Sequence, residues 1–161
     1  KSIHVDSSEN SLNENIWLGL MLHGLSPIET QQVTERLRLS ANQVNLLSEV
    51  TALCAETHSL SEAGLSSHNI YSILSGKSIH SITVYLLMTK DRTVKKHLSK
   101  FLYELRYIKP SLTGKDLIEI GVPKGPSIGN ILESLLYAKL DGIIKTRDDE
   151  LDLVSKKHKL S

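Results

Sequence analysis

Aromatic residues, proline and glycine are all scarce in this sequence. Phe, Trp and Tyr together make up 4% of the 161 residues, which also include four prolines and nine glycines. Sandwiches and barrels depend on aromatic and β-branched residues and on frequent turns, whereas helices suit the aliphatic and small polar residues that are plentiful here. The balance therefore favours helices, arranged as one compact domain or as two small abutting units.

Cysteine is nearly absent, because Cys54 is the single one in the chain. One thiol cannot form an internal disulfide, and this one lies among Leu47, Val50 and Leu53. We expect it to pack as a small apolar group in a protein of the reducing cytoplasm.

Long apolar runs are missing as well. The most apolar stretch is interrupted by His23 and two glycines, so no run of about 18 apolar residues exists and no membrane span is predicted. The sequence starts at Lys1 rather than Met and shows no signal-peptide pattern. We expect it to be an excised part of a longer protein.

Residue spacings typical of metal sites and nucleophilic sites are also lacking. The histidines show no His-x-x-x-His spacing and a lone cysteine excludes Cys-x-x-Cys, so zinc or nickel binding is not expected. Cys54 and His58 are four residues apart, but no third group is evident to orient them. We therefore predict no catalytic residue and no metal ligand in this chain.

Helix-start signals recur along the chain. Ser26 with Glu29 and Ser40 with Gln43 have the spacing of capping boxes. Further starts are predicted at Ser66, Ser78, Asp91, Thr113 and Thr146. The pattern predicts an all-α fold, an array of about nine short helices.

The domain organisation follows from composition and from Pro110. We expect a disordered lead-in over residues 1–11, a helical body over residues 12–108 and a smaller C-terminal tail unit over residues 109–161. The first helix, from about Asn13, is predicted to be mostly buried through the apolar positions Ile16, Leu18, Leu20, Met21, Leu22 and Leu25.

Two further details are predicted for the body. Ile28, Val33 and Leu37 should point inward from the second helix. Gly76 should end a later helix in a left-handed conformation.

The helix that starts at Asp91 separates into two faces when it is turned at about 100° per residue. Its apolar face is formed by Val94, Leu98, Phe101, Leu102 and Leu105. Its opposite face carries Arg92, Lys96, Lys100, Tyr103 and Tyr107. The net charge of the whole chain is only +1, yet eight Lys or Arg stand against two acids between Lys90 and Lys115. Such a stripe could neutralise phosphates while the tyrosines stack on unpaired bases, or it could be a solvated helix face.

Two tight loops between Lys109 and Ser127 lead into two helix N-termini. Gly125 and Ser127 begin the second helix, where free N–H groups beside Lys124 could receive a phosphate. Ordinary capping, with Gly129 allowing close helix packing, explains the same residues. The complete set of predicted RNA-binding residues is Arg92, Lys96, Lys100, Tyr103, Tyr107, Lys109, Lys115, Lys124, Gly125 and Ser127.

A family resemblance is carried by the last third of the chain, about Lys109 to Leu153. The matching segments are Leu112-Thr-Gly-Lys-Asp-Leu117, Gly121, Gly125-Pro126, Gly129, Leu140-Asp-Gly142 and Thr146-Arg-Asp-Asp-Glu150. They resemble the C-terminal region of bacterial tRNA nucleotidyltransferases, a family that includes CCA-adding, CC-adding and A-adding enzymes and bacterial poly(A) polymerases. The stretch from Trp17 to Ser40 is similar to the helical body of that family more loosely.

The resemblance implies a body and tail that hold the acceptor stem and elbow of tRNA. The catalytic head of the same parent chain, which would use Mg²⁺ with ATP or CTP, is not found in this sequence. No Asp-x-Asp pair occurs, and the nearest approach, Glu150 with Asp152, is expected on an exposed helix. Because two-metal chemistry needs a rigid carboxylate pair, we predict that this chain does not itself transfer nucleotides.

Two rival functions remain open at this level. The same basic surface would serve a helical protein-interaction or oligomerisation module without an RNA role. A degenerate phosphohydrolase is the other rival, because His23 stands where some relatives carry a His-Asp motif, although Gly24 replaces the acid. We expect His23 instead to lie at a helix end, near the carbonyls of its own C-terminus.

Overall fold

The computed structural model describes residues 7–158, with side chains described for residues 14–26 and 28–156. Ten α-helices and one short 3-10 helix occur in this range and no strand does, which confirms the predicted all-α array. The α-helices are α1 Ser7–Leu22, α2 Pro27–Leu37, α3 Ala41–Ala55, α4 Thr57–Leu60, α5 Ser67–Leu74, α6 Ile79–Met88, α7 Arg92–Tyr103, α8 Gly114–Glu119, α9 Pro126–Leu140 and α10 Arg147–His158. The 3-10 helix is Leu105–Tyr107.

Most helix starts are fixed by local side-chain caps. Full capping boxes are present at Ser26 before α2, at Ser40 before α3 and at Thr113 before α8. The Asp91 carboxylate accepts from the backbone N–H groups of Thr93 and Val94, at 2.7 and 3.1 Å, and so caps α7. These starts confirm the sequence prediction, because each cap depends on residues no more than three apart.

The backbone contacts divide the chain into two compact units. The first consists of the described residues up to Gly64 together with Leu74–Leu102, and the second consists of Leu65–Ile73 together with the described residues from Tyr103 onward. The boundary between a body and a tail domain near Pro110 stays a prediction. The predicted lead-in over residues 1–11 lies partly outside the described residues, and α1 begins within it at Ser7.

The first unit is built on α1, α3 and α6, which pack against one another. Gly19 of α1 lies directly against Val84 of α6, since a Cβ at Gly19 would be 2.8 Å from Val84 Cγ2. The buried apolar side chains of this unit include Leu46, Leu47, Val50, Leu53, Leu60, Ile82, Val84, Val94, Leu98 and Phe101.

Three predictions for the first unit are wrong. The helix α1 is not mostly buried, because Met21 of its predicted apolar set is 78% exposed and lies about 160° around the helix from the packed Gly19, as does Trp17, which is 66% exposed. On α2, Ile28 and Leu37 are exposed rather than inward, and Val33 is half-buried.

The third wrong prediction concerns Gly76, which does not adopt a positive φ. The chain leaves α5 through a turn in which the Lys77 N–H donates to the Leu74 carbonyl.

The second unit has its own core between α8, α9 and α10. Its buried cluster consists of Leu112, Leu117, Val122, Ile131, Leu135, Ile144 and Val154. Gly142, with φ +72°, turns the chain after α9, and Thr146 with Asp149 caps α10 as predicted, because the Asp149 N–H donates to Thr146 Oγ1 at 3.1 Å. Gly129 has open space around its Cα, so the predicted role in close helix packing is wrong.

Across residues 7–158, no helix combines the length and the apolar character that crossing a membrane requires.

Candidate nucleic-acid interface

The apolar face of α7 is anchored in the core of the first unit. Val94, Leu98, Phe101 and Leu102 are all buried, as predicted. His97 is buried beside them, with Nδ1 at 2.9 Å from the Leu60 carbonyl oxygen. This anchoring fixes the rotation of α7 about its axis, so the direction of its polar face is also fixed.

The polar face of α7 carries the basic residues that the sequence predicted for RNA. Arg92, Lys95 and Lys96 are exposed and Lys100 is half-buried. Arg92, Lys96 and Lys100 follow one another at four-residue intervals, which places them along one face at a rise of about 6 Å each. In the first unit the structure therefore brings together three of the predicted site residues as one cationic row.

The prediction that one helix carries both Tyr103 and Tyr107 is wrong, because α7 ends at Tyr103 and Tyr107 lies in the 3-10 helix. Both tyrosines belong to the second unit, where their side chains are 76% and 62% exposed. The Arg106 guanidinium lies 4.6 Å from the centroid of the Tyr107 ring and donates from Nη2 to the Tyr107 hydroxyl at 2.6 Å. A cation over an aromatic face is stabilising and leaves the other face of the ring available for stacking. The second unit thus offers two exposed phenol rings, one of them held by an arginine.

The predicted loop residues of the second unit are exposed except for Ser127, which is half-buried, and their surroundings differ. Lys109 and Lys124 are exposed, whereas Lys115 is 3.9 Å from Glu119 in a solvent-facing ion pair that contributes little. Gly125 is the N-cap of α9 with φ +152° and provides no side-chain cap. The Ser127 hydroxyl donates back to the Pro123 carbonyl at 3.3 Å. The start of α9 therefore leaves backbone donors without a side-chain acceptor at the N-cap.

Glu150 holds the loop before α8, and the prediction that it lies on an exposed helix face is wrong. Its side chain is fully buried and accepts from the backbone N–H groups of Ser111 and Leu112 at 2.9 and 2.8 Å. Lys139 Nζ donates to the other carboxylate oxygen at 2.7 Å. Burial alone would raise the pKa of Glu150, but the bonds from Lys139 and from the two backbone groups outweigh it and lower the pKa.

The same environment shows that the Glu150 and Asp152 pair does not fit a two-metal site. Glu150 is enclosed and engaged by three donors, while Asp152 is exposed on α10. Across the described residues, no group of three His, Cys, Asp or Glu side chains is placed as metal ligands would be.

A second ionic contact fixes the start of α10 to α8. Arg147 Nη2 donates to Asp116 Oδ1 at 2.6 Å, and Arg147 Nη1 lies 3.4 Å from the Ser111 carbonyl. Hydrogen bonds from the Thr113 hydroxyl and N–H, followed by the one from Arg147, hold the pKa of the Asp116 carboxyl well below its usual range. The loop that carries Lys109, and the start of α8 that carries Lys115, are therefore held from both sides by charged side chains.

A histidine and an aspartate join the segment Leu65–Ile73 to the end of α9. His68 Nδ1 lies 2.6 Å from Asp141 Oδ2, and the His68 N–H donates to Asp141 Oδ1 at 3.0 Å. Burial would raise the pKa of Asp141, yet the hydrogen bonds from His68 lower it on balance. Ser66 Oγ is 3.1 Å from the same Nδ1 atom, so Ser66 and Asp141 share one ring nitrogen. A nucleophilic triad needs them on opposite nitrogens, and this group therefore has the geometry of a structural contact.

The remaining candidate chemical groups also have structural surroundings. His23 Nδ1 lies 2.7 Å from the Leu20 carbonyl at the end of α1, as predicted for a helix-end histidine. Cys54 is half-buried, and burial raises the pKa of its thiol, which is the opposite of activation.

The residues that sequence reasoning missed are Glu150, His68 and Asp141. A signal existed for Glu150, because it lies four residues before the buried Val154 and so shares the apolar face of α10. No signal existed for the His68 and Asp141 pair, whose members are 73 residues apart in the chain.

Comparison with known proteins supports the predicted resemblance over about half of the chain. The sequence is 36% identical over 83 residues to an A-adding tRNA nucleotidyltransferase of Geobacter sulfurreducens. The match covers 52% of this chain and 9% of that relative, so the chain spans a small part of the relative's length. No family model matches the chain, and no solved structure gives a significant match. The similarity supports a relation to the tRNA nucleotidyltransferases.

Proposed function

We propose that this chain binds tRNA and positions its acceptor stem and elbow for nucleotide addition at the 3′ end. The observation that carries the proposal is the row of Arg92, Lys96 and Lys100 on a helix whose opposite face is buried. The exposed rings of Tyr103 and Tyr107 supply stacking surfaces for unpaired bases. The similarity to a tRNA nucleotidyltransferase supports tRNA as the polyanion.

Nucleotide addition itself is assigned to a catalytic head elsewhere in the parent protein. That head would use Mg²⁺ with ATP or CTP, and the protein would act in the cytoplasm. In this proposal the chain contributes affinity and orientation, and no step of the chemistry.

Titration with tRNA at several salt concentrations tests the proposal. Counterion release predicts that the logarithm of the affinity falls linearly with the logarithm of the salt concentration. Lys96→Glu with Lys100→Glu should weaken binding and lower the slope by about two, or about one for each phosphate that is no longer neutralised.

The matched control for this pair is Arg36→Glu with Lys145→Glu. Both of these residues are exposed and lie outside the predicted set, and the net charge changes equally. An affinity for tRNA that does not change with salt concentration would contradict a specific role for α7. An affinity that falls by the same amount in both double variants would contradict it as well.

A second candidate function is a protein-interaction or oligomerisation module. It is favoured by the exposed apolar side chains Trp17 and Met21 on α1 and Ile28 and Leu37 on α2. Sedimentation of the wild type and of Trp17→Ser with Met21→Ser separates the two functions. Association that the double substitution abolishes, together with no affinity for tRNA, would favour the module.

A further inference from the structure

A groove of about 350 Å³ lies between α9 and α10 in the second unit. One wall carries Ser127, Asn130 and Ser134 of α9, and the other is formed by Leu153 and Val154 of α10. Sites for small organic groups in proteins have this size range and this mixture of apolar surface with a few polar groups.

The polar wall is a continuous stripe along α9. Ser127, Asn130 and Ser134 are three and then four residues apart, so their side chains lie on one face of the helix. Two hydroxyls and one carboxamide offer both donors and acceptors, and none of the lining residues is charged. The floor includes Ile131, which is itself buried in the core.

A nucleobase has the complementary surface, with two apolar faces and an edge of donors and acceptors. A purely apolar ligand would leave the carboxamide of Asn130 and the two hydroxyls without partners, which costs binding energy. An acidic ligand would find no charged partner inside the groove. The chemistry of the two walls therefore selects a flat heterocycle with a polar edge.

The charges next to the groove fit a nucleotide better than a free base. Lys124 stands three residues before Ser127, and Lys156 stands three residues after Leu153 on the same face of α10, and both lysines are exposed. Cations flanking an uncharged groove favour a ligand that has a neutral ring and an anionic backbone. We propose that the groove between α9 and α10 binds one unstacked nucleotide of an RNA, with the base inside and the phosphates toward the two lysines. This inference rests on the proposed function and adds a base-binding site to it.

The test uses nuclear magnetic resonance of the whole chain titrated separately with AMP, CMP, GMP and UMP. At least one mononucleotide should shift the signals of Asn130 and Ser134, whereas ribose 5-phosphate and inorganic phosphate should not. Asn130→Ala should weaken that binding about tenfold, the effect of removing one hydrogen bond of about 1.4 kcal/mol. Asn69→Ala is the matched control, because Asn69 is exposed in the same unit outside the groove. Unchanged signals elsewhere in each variant show that the fold is retained.

Titration of the same samples with tRNA separates failure of this inference from failure of the proposed function. Salt-dependent tRNA binding with no mononucleotide response in the groove would overturn the inference and leave the proposed function standing. Mononucleotide binding without tRNA binding would overturn both the proposed function and the RNA ligand inferred here. Equal binding of mononucleotides by the wild type and by Asn130→Ala would identify the groove as an apolar contact surface and overturn the inference.

Discussion

Lys139 of α9 donates to the carboxylate of Glu150 on α10 at 2.7 Å, and the same carboxylate accepts from two backbone N–H groups of the loop before α8. One buried acid thus connects three elements of the second unit. Because Lys139 also donates to the Ser111 hydroxyl at 2.9 Å, the loop is held by both members of the ion pair. The position of Lys109, two residues before Ser111, depends on this contact.

Replacing Glu150 by alanine should strongly destabilise the second unit. The substitution leaves Lys139 and the two backbone N–H groups of Ser111 and Leu112 without their acceptor, and removal of one member of a buried ion pair costs about 3–5 kcal/mol. Urea denaturation followed by circular dichroism measures the free energy of unfolding. Asp152→Ala on the exposed side of the same helix is the control, with an expected change within about 0.5 kcal/mol. Equal effects of the two substitutions would show that the Glu150 contacts contribute nothing.

Acid should weaken the second unit through four carboxyls. The pKa values of Asp116, Asp141, Asp149 and Glu150 are all lowered in the folded protein. Such groups stabilise the fold at a pH above their unfolded pKa, and this stabilisation is lost as the pH falls through the folded value. The stabilisation from these groups should therefore stay constant from neutral pH to about pH 5 and decrease as the pH falls further.

A substitution isolates the Glu150 part of this dependence. Glu150→Gln removes the titrating group, so this variant should be less stable at neutral pH and should lose less stability on acidification than the wild type. Parallel pH profiles for the two proteins would contradict the assignment.

Local interactions explain why the helices could be predicted from the sequence. The capping boxes at Ser26, Ser40 and Thr113 join residues three apart, so the same residue types that signal a cap also form it. The apolar face of α7 was equally predictable, because a helix of known start has a fixed angle for each residue, and Val94 and Leu98 are buried as expected.

Long-range packing explains the failures. Apolar spacing identified which residues of α1 and α2 could be buried, but it did not show which side of each helix has a neighbour, and Met21 and Ile28 are exposed. A buried acid such as Glu150 resembles a surface acid until its donors are known, and these come from residues 11 to 39 positions away. The residues predicted to bind RNA belong to a third class, since exposure of Lys96 permits phosphate contact without requiring it.

Gly19 should be intolerant of even one added methyl group. A Cβ there would lie 2.8 Å from Val84 Cγ2 and 3.0 Å from Cγ1, and Val84 is fully buried, so α1 and α6 would have to separate. Overpacking of this kind costs about 1–3 kcal/mol. Gly19→Ala with Val84→Ala should recover part of this loss, because the second substitution removes the clashing methyl groups.

Gly129→Ala is the contrasting change for Gly19→Ala. Gly129 is exposed within α9 and has open space where the methyl group would stand, so alanine should stabilise the helix by about 0.5–1 kcal/mol. Thermal denaturation measures the stability of both variants. A stabilising effect of Gly19→Ala would contradict the close packing of α1 on α6.

The exposed tyrosines should contribute to tRNA affinity without contributing to its salt dependence. Stacking of a base on an aromatic ring is worth about 1–3 kcal/mol and releases no counterion, so Tyr103→Ala should weaken binding about tenfold while the slope against salt stays the same. Tyr103→Phe keeps the ring and should bind as the wild type does. Tyr107→Phe also keeps the ring, but it differs from Tyr103→Phe because it removes a hydroxyl that accepts a hydrogen bond from Arg106.

Filter binding of these variants at four salt concentrations gives both the affinity and the slope. If Tyr103→Phe is as weak as Tyr103→Ala, the hydroxyl makes the contact and stacking is wrong. If Tyr103→Ala lowers the slope as Lys96→Glu should, the ring acts by placing a neighbouring cation. A lower affinity at constant slope is therefore the result that identifies a tyrosine stacked on a base.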